Sequence, residues 1–214
     1  MTNSLKKKYG FEYPFKTDPL AKKALRYIKD RKRLLDVGCG EGADSVFYVE
    51  KGFRVTAIDG SKNYLKRLRN FLRDNQLKNI SVRFCNAVSY RYPKNYYDVI
   101  SCLLLGCCMK RSEFVKMLVR VKKTVKPNGI IIMSLRNYLD PEFVEYSASE
   151  KLIEPNTFRK KEDCCQVRYY IEKNQLRKSF HNFEILYYYE GYAPDKYREV
   201  ERHGDSYIIC RRKK

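Results

Sequence analysis

The sequence predicts an α/β fold, in which helices cover both faces of a mostly parallel sheet. Three observations support this prediction. Short apolar segments typical of strands alternate with segments whose apolar residues repeat at helical spacing. A glycine-rich turn at residues 38–42 joins the first strand to the helix that follows it. The 214 residues, 43% of them hydrophobic, are enough to bury the core of one domain.

The elements before the second strand follow from local signals. Asp18 and Pro19 are typical of a helix start, because aspartate caps the first turn and proline fits its first position. Apolar residues at helical spacing continue this helix to about residue 28. Residues 33–37 read as a short apolar strand. The next helix is predicted from about residue 43 to Gly52, since glycine commonly follows a helix end.

The following elements repeat the alternation. The second strand covers residues 54–58 and ends in Asp59, after which Gly60 and Ser61 precede an amphipathic helix. The third, fourth and fifth strands are predicted over residues 80–85, 98–104 and 130–135. A helix begins near residue 112 and leads to a turn at residues 127–129.

The pattern changes after the fifth strand. Residues 140–161 are polar and irregular, with room for one short helix, and residues 166–171 read as an extra strand. A short helix is expected over residues 174–180. The closing strands are predicted over residues 183–189 and 206–211, with a long connection between them. We expect these two strands to pair antiparallel, because no crossover helix separates them.

Charge and cysteine content limit the class of protein. The formal net charge is +20, which indicates either an acidic partner such as nucleic acid or a lysine-rich solvated surface, and both explanations remain open. The eight cysteines include no C-x-x-C pair, so we interpret them as buried thiols of a reducing compartment and predict no metal site. No apolar run reaches the roughly 18–20 residues of a membrane helix. The sequence therefore predicts a cytoplasmic protein with no membrane segment.

The segment from Asp36 to Gly42, Asp-Val-Gly-Cys-Gly-Glu-Gly, carries the functional signal. Glycines between a strand and a helix let the backbone turn tightly and approach a ligand. Asp59 ends the second strand, where an acidic residue accepts hydrogen bonds from ribose hydroxyls in nucleotide-binding domains. The spacing is Asp-x-Gly-x-Gly-x-Gly instead of the G-x-G-x-x-G of dinucleotide sites. It therefore favours a nucleoside with a cationic tail over a dinucleotide.

These residues resemble motif I and the acidic position after it in class I S-adenosylmethionine-dependent methyltransferases. Asn86-Ala87, residues 97–101 and residues 125–130 are similar to later motifs of the same family, and the resemblance is clear over about residues 30–135. It implies a Rossmann-like three-layer sandwich with a seven-stranded, mostly parallel sheet and an antiparallel C-terminal strand. The short length and C-terminal layout are similar to small methyltransferases of the tellurite-resistance and thiopurine type.

The resemblance implies S-adenosylmethionine as cofactor and assigns roles to individual residues. Gly38 and Gly40 would meet the methionine portion, and Asp59 would bind both ribose hydroxyls. Asp36 would orient the loop and interact with the amino group, directly or through water. Asn86 stands where the family usually has an acid, so only its amide oxygen could accept from the adenine amino group. The full predicted cofactor-binding set is Asp36, Gly38, Cys39, Gly40, Gly42, Asp59, Gly60, Ser61, Asn86, Ala87, Cys102 and Leu103.

Candidates for the acceptor side are fewer. Residues 9–15, including Tyr9, could form a lid, and Arg136 after the fifth strand could hold an anionic acceptor. We expect His181 and His203 to be surface residues. The fourth strand lacks the Asn/Asp-Pro-Pro-Tyr/Phe motif of enzymes that methylate amino groups of bases and glutamine. Methyl transfer mainly requires that two reactants be positioned and water excluded, so a catalytic base is not essential.

The sequence thus predicts a single methyltransferase domain over residues 1–214, acting on a small-molecule acceptor. Residues 1–30 would form an N-terminal lid and helix, residues 31–135 the cofactor-binding half, and residues 136–214 the substrate-side half. Two alternatives remain: an RNA or protein methyltransferase that docks through its basic surface, and a non-catalytic protein that only binds the cofactor. The acceptor atom and the oligomeric state do not follow from the sequence.

Overall fold

A computed structural model describes residues 16–149, 152–159, 166–194 and 202–214. The helices in this part of the chain are α1 (Pro19–Ala24), α2 (Ala43–Glu50), α3 (Lys62–Asp74), α4 (Arg111–Thr124), α5 (Pro141–Ser149) and α6 (Gln175–Ser179). The strands are β1 (Arg33–Val37), β2 (Arg54–Asp59), β3 (Ile80–Phe84), β4 (Tyr97–Leu103), β5 (Val125–Arg136), β6 (Leu152–Glu154), β7 (Thr157–Arg159), β8 (Val167–Tyr169), β9 (Phe183–Pro194) and β10 (Arg202–Arg212). The predicted lid residues 9–15 lie outside the described residues.

Seven strands form the main sheet, in the order β3-β2-β1-β4-β5-β10-β9. The strands β1 to β5 pair in parallel, and β10 pairs antiparallel with both β5 and β9. The predicted mostly parallel sheet with an antiparallel C-terminal strand is therefore confirmed. The consecutive strands β9 and β10 run antiparallel to each other, as expected.

Two apolar layers enclose the sheet. On one face, the helices α1, α2 and α3 bury residues such as Leu20, Val46 and Leu68. On the other face, α4 and α6 bury Phe114 and Leu176. This arrangement is the predicted three-layer sandwich. It leaves the carboxyl ends of the parallel strands at one edge of the sheet, where turns can meet around a ligand.

Local caps behave as the sequence predicts. The Asp18 carboxylate accepts a hydrogen bond from the Leu20 amide at 2.8 Å, and Pro19 is the first residue of α1. The Ser61 hydroxyl accepts from the Tyr64 amide at 3.3 Å and caps α3. These contacts satisfy amides that have no partner inside the first helical turn.

The closing strands are longer than predicted. Both ends of the expected connection over residues 190–205 are strand, because β9 continues to Pro194 and β10 starts at Arg202. The two strands pair along their whole length, from the Phe183–Arg212 pair to the Pro194–Arg202 pair. The ladder therefore extends beyond the apolar residues from which the strands were predicted. The sequence did not predict these extensions, because their polar and glycine residues do not show the alternation typical of a strand.

A second, three-stranded sheet was not expected. Here β7 pairs antiparallel with both β6 and β8, and only β8 was predicted as a strand. Phe158 of β7 packs near Phe143 of α5 and Tyr170, with ring centroids 5.9 and 6.2 Å away. Strands of three residues are too short to show an alternating pattern, so this sheet depends on tertiary contacts. Within the described ranges, no helix is both long and apolar enough to cross a bilayer.

Candidate active site

A cavity of about 1340 Å³ opens at the carboxyl ends of β1, β2 and β4. Its walls come from the turn after β1, the end of β2 with the first turns of α3, and the segment after β4. Open α/β sheets bind ligands at this edge. The volume exceeds the range of about 300–1,000 Å³ typical of single small-molecule pockets. The cavity therefore has room for two reactants.

The glycine turn after β1 forms the floor of the cavity. Gly38, Gly40 and Gly42 all have positive φ angles, of 73°, 54° and 92°, which other residues rarely adopt. A Cβ atom on Gly38 would lie 2.7 Å from the Cβ of Leu105. A Cβ on Gly40 would meet no atom within 4 Å, so the backbone there is open to the cavity.

Asp59 connects this turn to the end of β2. Its carboxylate accepts hydrogen bonds from the Gly40 amide at 2.9 Å and from the Ser61 amide at 2.7 Å, one on each oxygen. A carboxylate offers about four acceptor positions in total. Two positions therefore remain available to hydroxyl donors of a ligand.

Ten of the predicted cofactor-binding residues lie in the cavity wall. They are Gly38, Cys39, Gly40, Gly42, Asp59, Gly60, Ser61, Asn86, Ala87 and Leu103. Their contacts with a cofactor stay predictions. The amide oxygen of Asn86 already accepts from the Val88 amide at 2.7 Å, so one of its two acceptor positions is used within its own turn and the other remains for an adenine amino group.

Asp36 and Cys102 are the two predicted cofactor-binding residues that do not line the cavity. Asp36 is only 3% exposed, and its carboxylate accepts from the Ser45 hydroxyl at 2.6 Å. It therefore fastens α2 to β1 beneath the glycine turn and does not reach the cavity wall. Cys102 lies in the apolar core, where burial and then the charge of Asp36 raise the pKa of its thiol. Its neighbour Leu103 points to the cavity, because side chains alternate along a strand.

Arg136 also lies away from the cavity. Its guanidinium donates to the Asp205 carboxylate at 2.8 Å, and its Nε lies 3.8 Å from the Asp140 carboxylate. Burial raises the pKa of Asp205 in spite of this pairing. Arg136 thus neutralises buried carboxylates, which corrects the expectation that it holds an anionic acceptor. The Nδ1 atom of His203 lies 3.1 Å from the Asp140 carboxylate, and the imidazole is partly buried in the same cluster.

Several wall residues were missed by sequence reasoning. Asp18 and Asp44 come from the start of α1 and from α2, and the Asp18 amide donates to the Asp44 carboxylate at 2.8 Å. The segment after β4 contributes Leu104, Leu105, Cys108, Met109 and Glu113. The one available signal was position, since this segment follows the carboxyl end of a central strand.

The cavity wall is acidic, although the chain is strongly basic. Its charged residues are Asp18, Glu41, Asp44, Asp59 and Glu113 against Lys66 and Arg67. Arg67 forms an ion pair with Glu41, so part of the positive charge is already compensated. A wall of this sign favours cationic over anionic ligands. Among the described residues, no group of three or more His, Cys, Asp or Glu side chains is arranged to hold a metal ion.

Comparison with known proteins agrees with this geometry. Residues 34–129 match the family model described as "Methyltransferase domain". Glycine N-methyltransferase from Mus musculus is 30% identical over 119 residues, covering 50% of this chain and 41% of that protein. Ubiquinone biosynthesis O-methyltransferase from Rickettsia canadensis (strain McKiel) is 27% identical over 135 residues, covering 61% of this chain and 55% of that protein. The chain thus spans about half the length of these curated relatives.

A solved structure extends the likeness to the whole fold. The crystal structure of a SAM-dependent methyltransferase from Methanosarcina mazei aligns with a TM-score of 0.77, over 93% of this chain and 99% of that chain. The sequence identity is 16%, so this likeness concerns the fold alone. The family match covers β2, β3, β4, the glycine turn and Asp59, and with them most of the residues that line the cavity. Residues 34–129 are therefore similar to a methyltransferase domain, and the observed fold agrees with that similarity.

Proposed function

We propose that this protein binds S-adenosylmethionine in the cavity and transfers its methyl group to a small-molecule acceptor. The observation that carries the proposal is the acidic wall around an open glycine turn in a chain of net charge +20. A cationic sulfonium with an ammonium group complements such a wall, whereas the pyrophosphate of a dinucleotide does not.

The residues present fit this cofactor. The backbone is open at Gly40 and Gly60, where an added Cβ would meet no atom within 4 Å, so a ligand can approach both glycines closely. Asp59 retains acceptor positions for two ribose hydroxyls. When bound, S-adenosylmethionine supplies an electrophilic methyl group on a positively charged sulfur.

The protein's own contribution is to position the reactants and exclude water. The hydrogen bonds from Gly40 and Ser61 to Asp59 hold the floor of the site in place before a ligand arrives. Leu103, Leu104 and Leu105 form an apolar wall beside that floor. Orientation of two reactants in a dry site lowers the barrier without an acid or base, and a wall of leucines suits that role.

The cavity volume and the named relatives bear on the nature of the acceptor. The names of the two curated relatives place the methyl group on nitrogen in one and on oxygen in the other. A cavity of about 1340 Å³ favours a small molecule that is enclosed together with the cofactor.

The division into an N-terminal lid, a cofactor-binding half and a substrate-side half, and the similarity to the tellurite-resistance and thiopurine type, stay predictions. We keep the cytoplasmic location as part of this proposal, because Cys102, Cys107 and Cys210 are buried free thiols.

Calorimetry with S-adenosylmethionine, S-adenosylhomocysteine and NAD in parallel tests the proposal. Micromolar binding of the first two and no binding of NAD is the expected result. Binding of NAD alone would contradict the cofactor assignment. A salt-sensitive, saturable affinity for a defined RNA would instead favour the RNA methyltransferase alternative. Cofactor binding without turnover across a broad acceptor panel would favour the non-catalytic alternative.

A further inference from the structure

The turn after β4, Leu104 to Met109, is held in one conformation by contacts with β5. The Leu104 amide donates to both the carbonyl and the hydroxyl oxygen of Ser134, at 3.0 and 3.1 Å. The Cys107 sulfur accepts from the Arg136 amide at 3.0 Å. Leu104 has a φ of 58°, a conformation that costs a leucine energy and that these contacts maintain. The turn therefore forms a part of the cavity wall that has a fixed conformation.

This wall presents an apolar surface with one acidic group. Leu104, Leu105, Cys108 and Met109 line the cavity, and the next wall residue along the chain is Glu113. The Glu113 carboxylate accepts from the Lys110 amide at 2.9 Å, which fixes it at the first turn of α4. Within residues 103–113, the charged group in the cavity wall is Glu113, and the two cations of this segment do not contribute to the wall.

The wall also lies next to the place where methyl transfer would occur. A Cβ added to Gly38 would overlap the Leu105 side chain at 2.7–2.8 Å, so Leu105 is packed directly on the glycine turn. That turn is the predicted binding site of the methionine portion of S-adenosylmethionine, and therefore of the reactive methyl group. A second reactant must touch that methyl group. Among the described residues, Leu105 of this wall lies directly against the glycine turn, so the wall borders the space next to the methyl group.

We propose that the methyl acceptor is an amine carried on an apolar body, with its nitrogen directed at Glu113 and its body against Leu104, Leu105 and Met109. This inference rests on the proposed function. An alkylamine binds as the ammonium ion and pairs with the carboxylate. The ammonium proton then passes to solvent, and the neutral nitrogen attacks the methyl carbon. The new N–C bond forms as the C–S bond breaks, the C–S electron pair stays on sulfur, and the positive charge moves from sulfur to nitrogen.

Acceptors of the opposite charge fit this wall poorly. A carboxylate or phosphate would lie beside Glu113, and the cations of the cavity wall, Lys66 and Arg67, come from α3 and not from this segment. A neutral alcohol would fill the apolar surface but would gain no ion pair. The net charge of +20 therefore does not predict an anionic acceptor, because most charged residues of the cavity wall are acidic.

Three probes that share one aromatic body test the proposal: 2-phenylethylamine, 2-phenylethanol and 3-phenylpropionate. Each is titrated calorimetrically, near neutral pH, into full-length protein saturated with S-adenosylhomocysteine. The variant is Glu113→Gln, which retains an acceptor for the Lys110 amide. The matched control is Glu154→Gln, because Glu154 accepts from Ser112 at the same helix start but does not line the cavity.

We expect the amine to bind about tenfold or more tightly than the alcohol, with the carboxylate weakest. Glu113→Gln should reduce the preference for the amine to about twofold or less, while Glu154→Gln leaves it intact. Equal or tighter binding of the alcohol or carboxylate, no binding of any probe, or an unchanged preference in Glu113→Gln would each overturn the proposal. Loss of S-adenosylhomocysteine binding in Glu113→Gln alone would overturn it too, since Glu113 would then belong to the cofactor. Failure of the wild-type protein to bind S-adenosylhomocysteine would instead overturn the proposed function itself.

Discussion

The Gly40 amide donates a hydrogen bond to the Asp59 carboxylate at 2.9 Å, across 19 residues of chain. This contact joins the turn after β1 to the end of β2. Asp59 therefore has two roles, because it shapes the glycine turn and offers acceptor positions to a ligand. A change at Asp59 should affect binding through both.

Replacement of Asp59 tests its role in cofactor binding. Asp59→Ala should weaken S-adenosylmethionine binding by about 1–3 kcal/mol, since charge-assisted hydrogen bonds are lost. Calorimetry measures the change, and circular dichroism checks that the variant is folded. Asp74→Ala is the control, because Asp74 is an exposed carboxylate at the end of α3. An unchanged affinity in folded Asp59→Ala would remove Asp59 from the site.

Two glycines of the same turn should respond differently to alanine. Gly38→Ala combines a φ of 73° with a 2.7 Å overlap against Leu105, so we expect a loss of about 2–5 kcal/mol in the free energy of unfolding. Gly40→Ala has only the strain of its φ of 54°, about 1–2 kcal/mol, but its methyl group would project into the open cavity.

Urea unfolding and calorimetry together separate these effects. Gly40→Ala should lose more cofactor affinity than stability, and Gly38→Ala should lose stability first. Equal losses of stability in the two variants would contradict the packing of Leu105 on Gly38.

Arg136 should be a structural residue. Removing one partner of a buried ion pair leaves the other charge uncompensated, so Arg136→Leu should cost about 3–5 kcal/mol of folding free energy. The double variant Arg136→Leu with Asp205→Asn should recover part of that loss. Cofactor affinity in the folded fraction should stay unchanged. A stable Arg136→Leu protein that had lost activity only toward anionic acceptors would show instead that Arg136 holds the acceptor.

Asp98 should make stability depend on pH in the acid range. Burial alone would raise the pKa of this carboxyl, but hydrogen bonds from Lys126 and from the Arg33 and Lys32 amides outweigh it and lower the pKa. A lowered folded-state pKa stabilises the protein above the unfolded value of about 3.9 and loses that contribution as the pH falls toward the folded value.

The variant Asp98→Asn isolates this contribution. At neutral pH it should be less stable than the wild type by about 1 kcal/mol, a modest figure because the pair is partly exposed to solvent. The difference should shrink as the pH is lowered below about 3.9. Urea unfolding at several pH values measures it, with Glu184→Gln as an exposed ion-pair control. A difference that is constant with pH would show that Asp98 does not act through its charge.

The sequence by itself determined the elements that depend on neighbouring residues. The Asp18 cap and Pro19, the glycine turn and the Ser61 cap all express local backbone chemistry, so the order of residues alone locates each of them. The positions of Gly38, Gly40 and Asp59 at two strand ends followed from the same information, because parallel strands bring their carboxyl ends to one edge. The antiparallel pairing of β9 and β10 was predicted because the sequence showed no helix pattern between the two strands.

Tertiary structure decided everything that depends on contacts distant in sequence. Arg136 is neutralised by Asp205, 69 residues away, so its charge is unavailable to a ligand although its position after β5 suggested otherwise. Cys102 and Leu103 are adjacent, and only packing against α4 and α6 decides which of them faces the cavity. The acidic wall exists because Asp18, Asp59 and Glu113 come from three separate segments. The net charge of the sequence sums these acidic residues with the basic ones, and only the folded structure shows that they lie in different places.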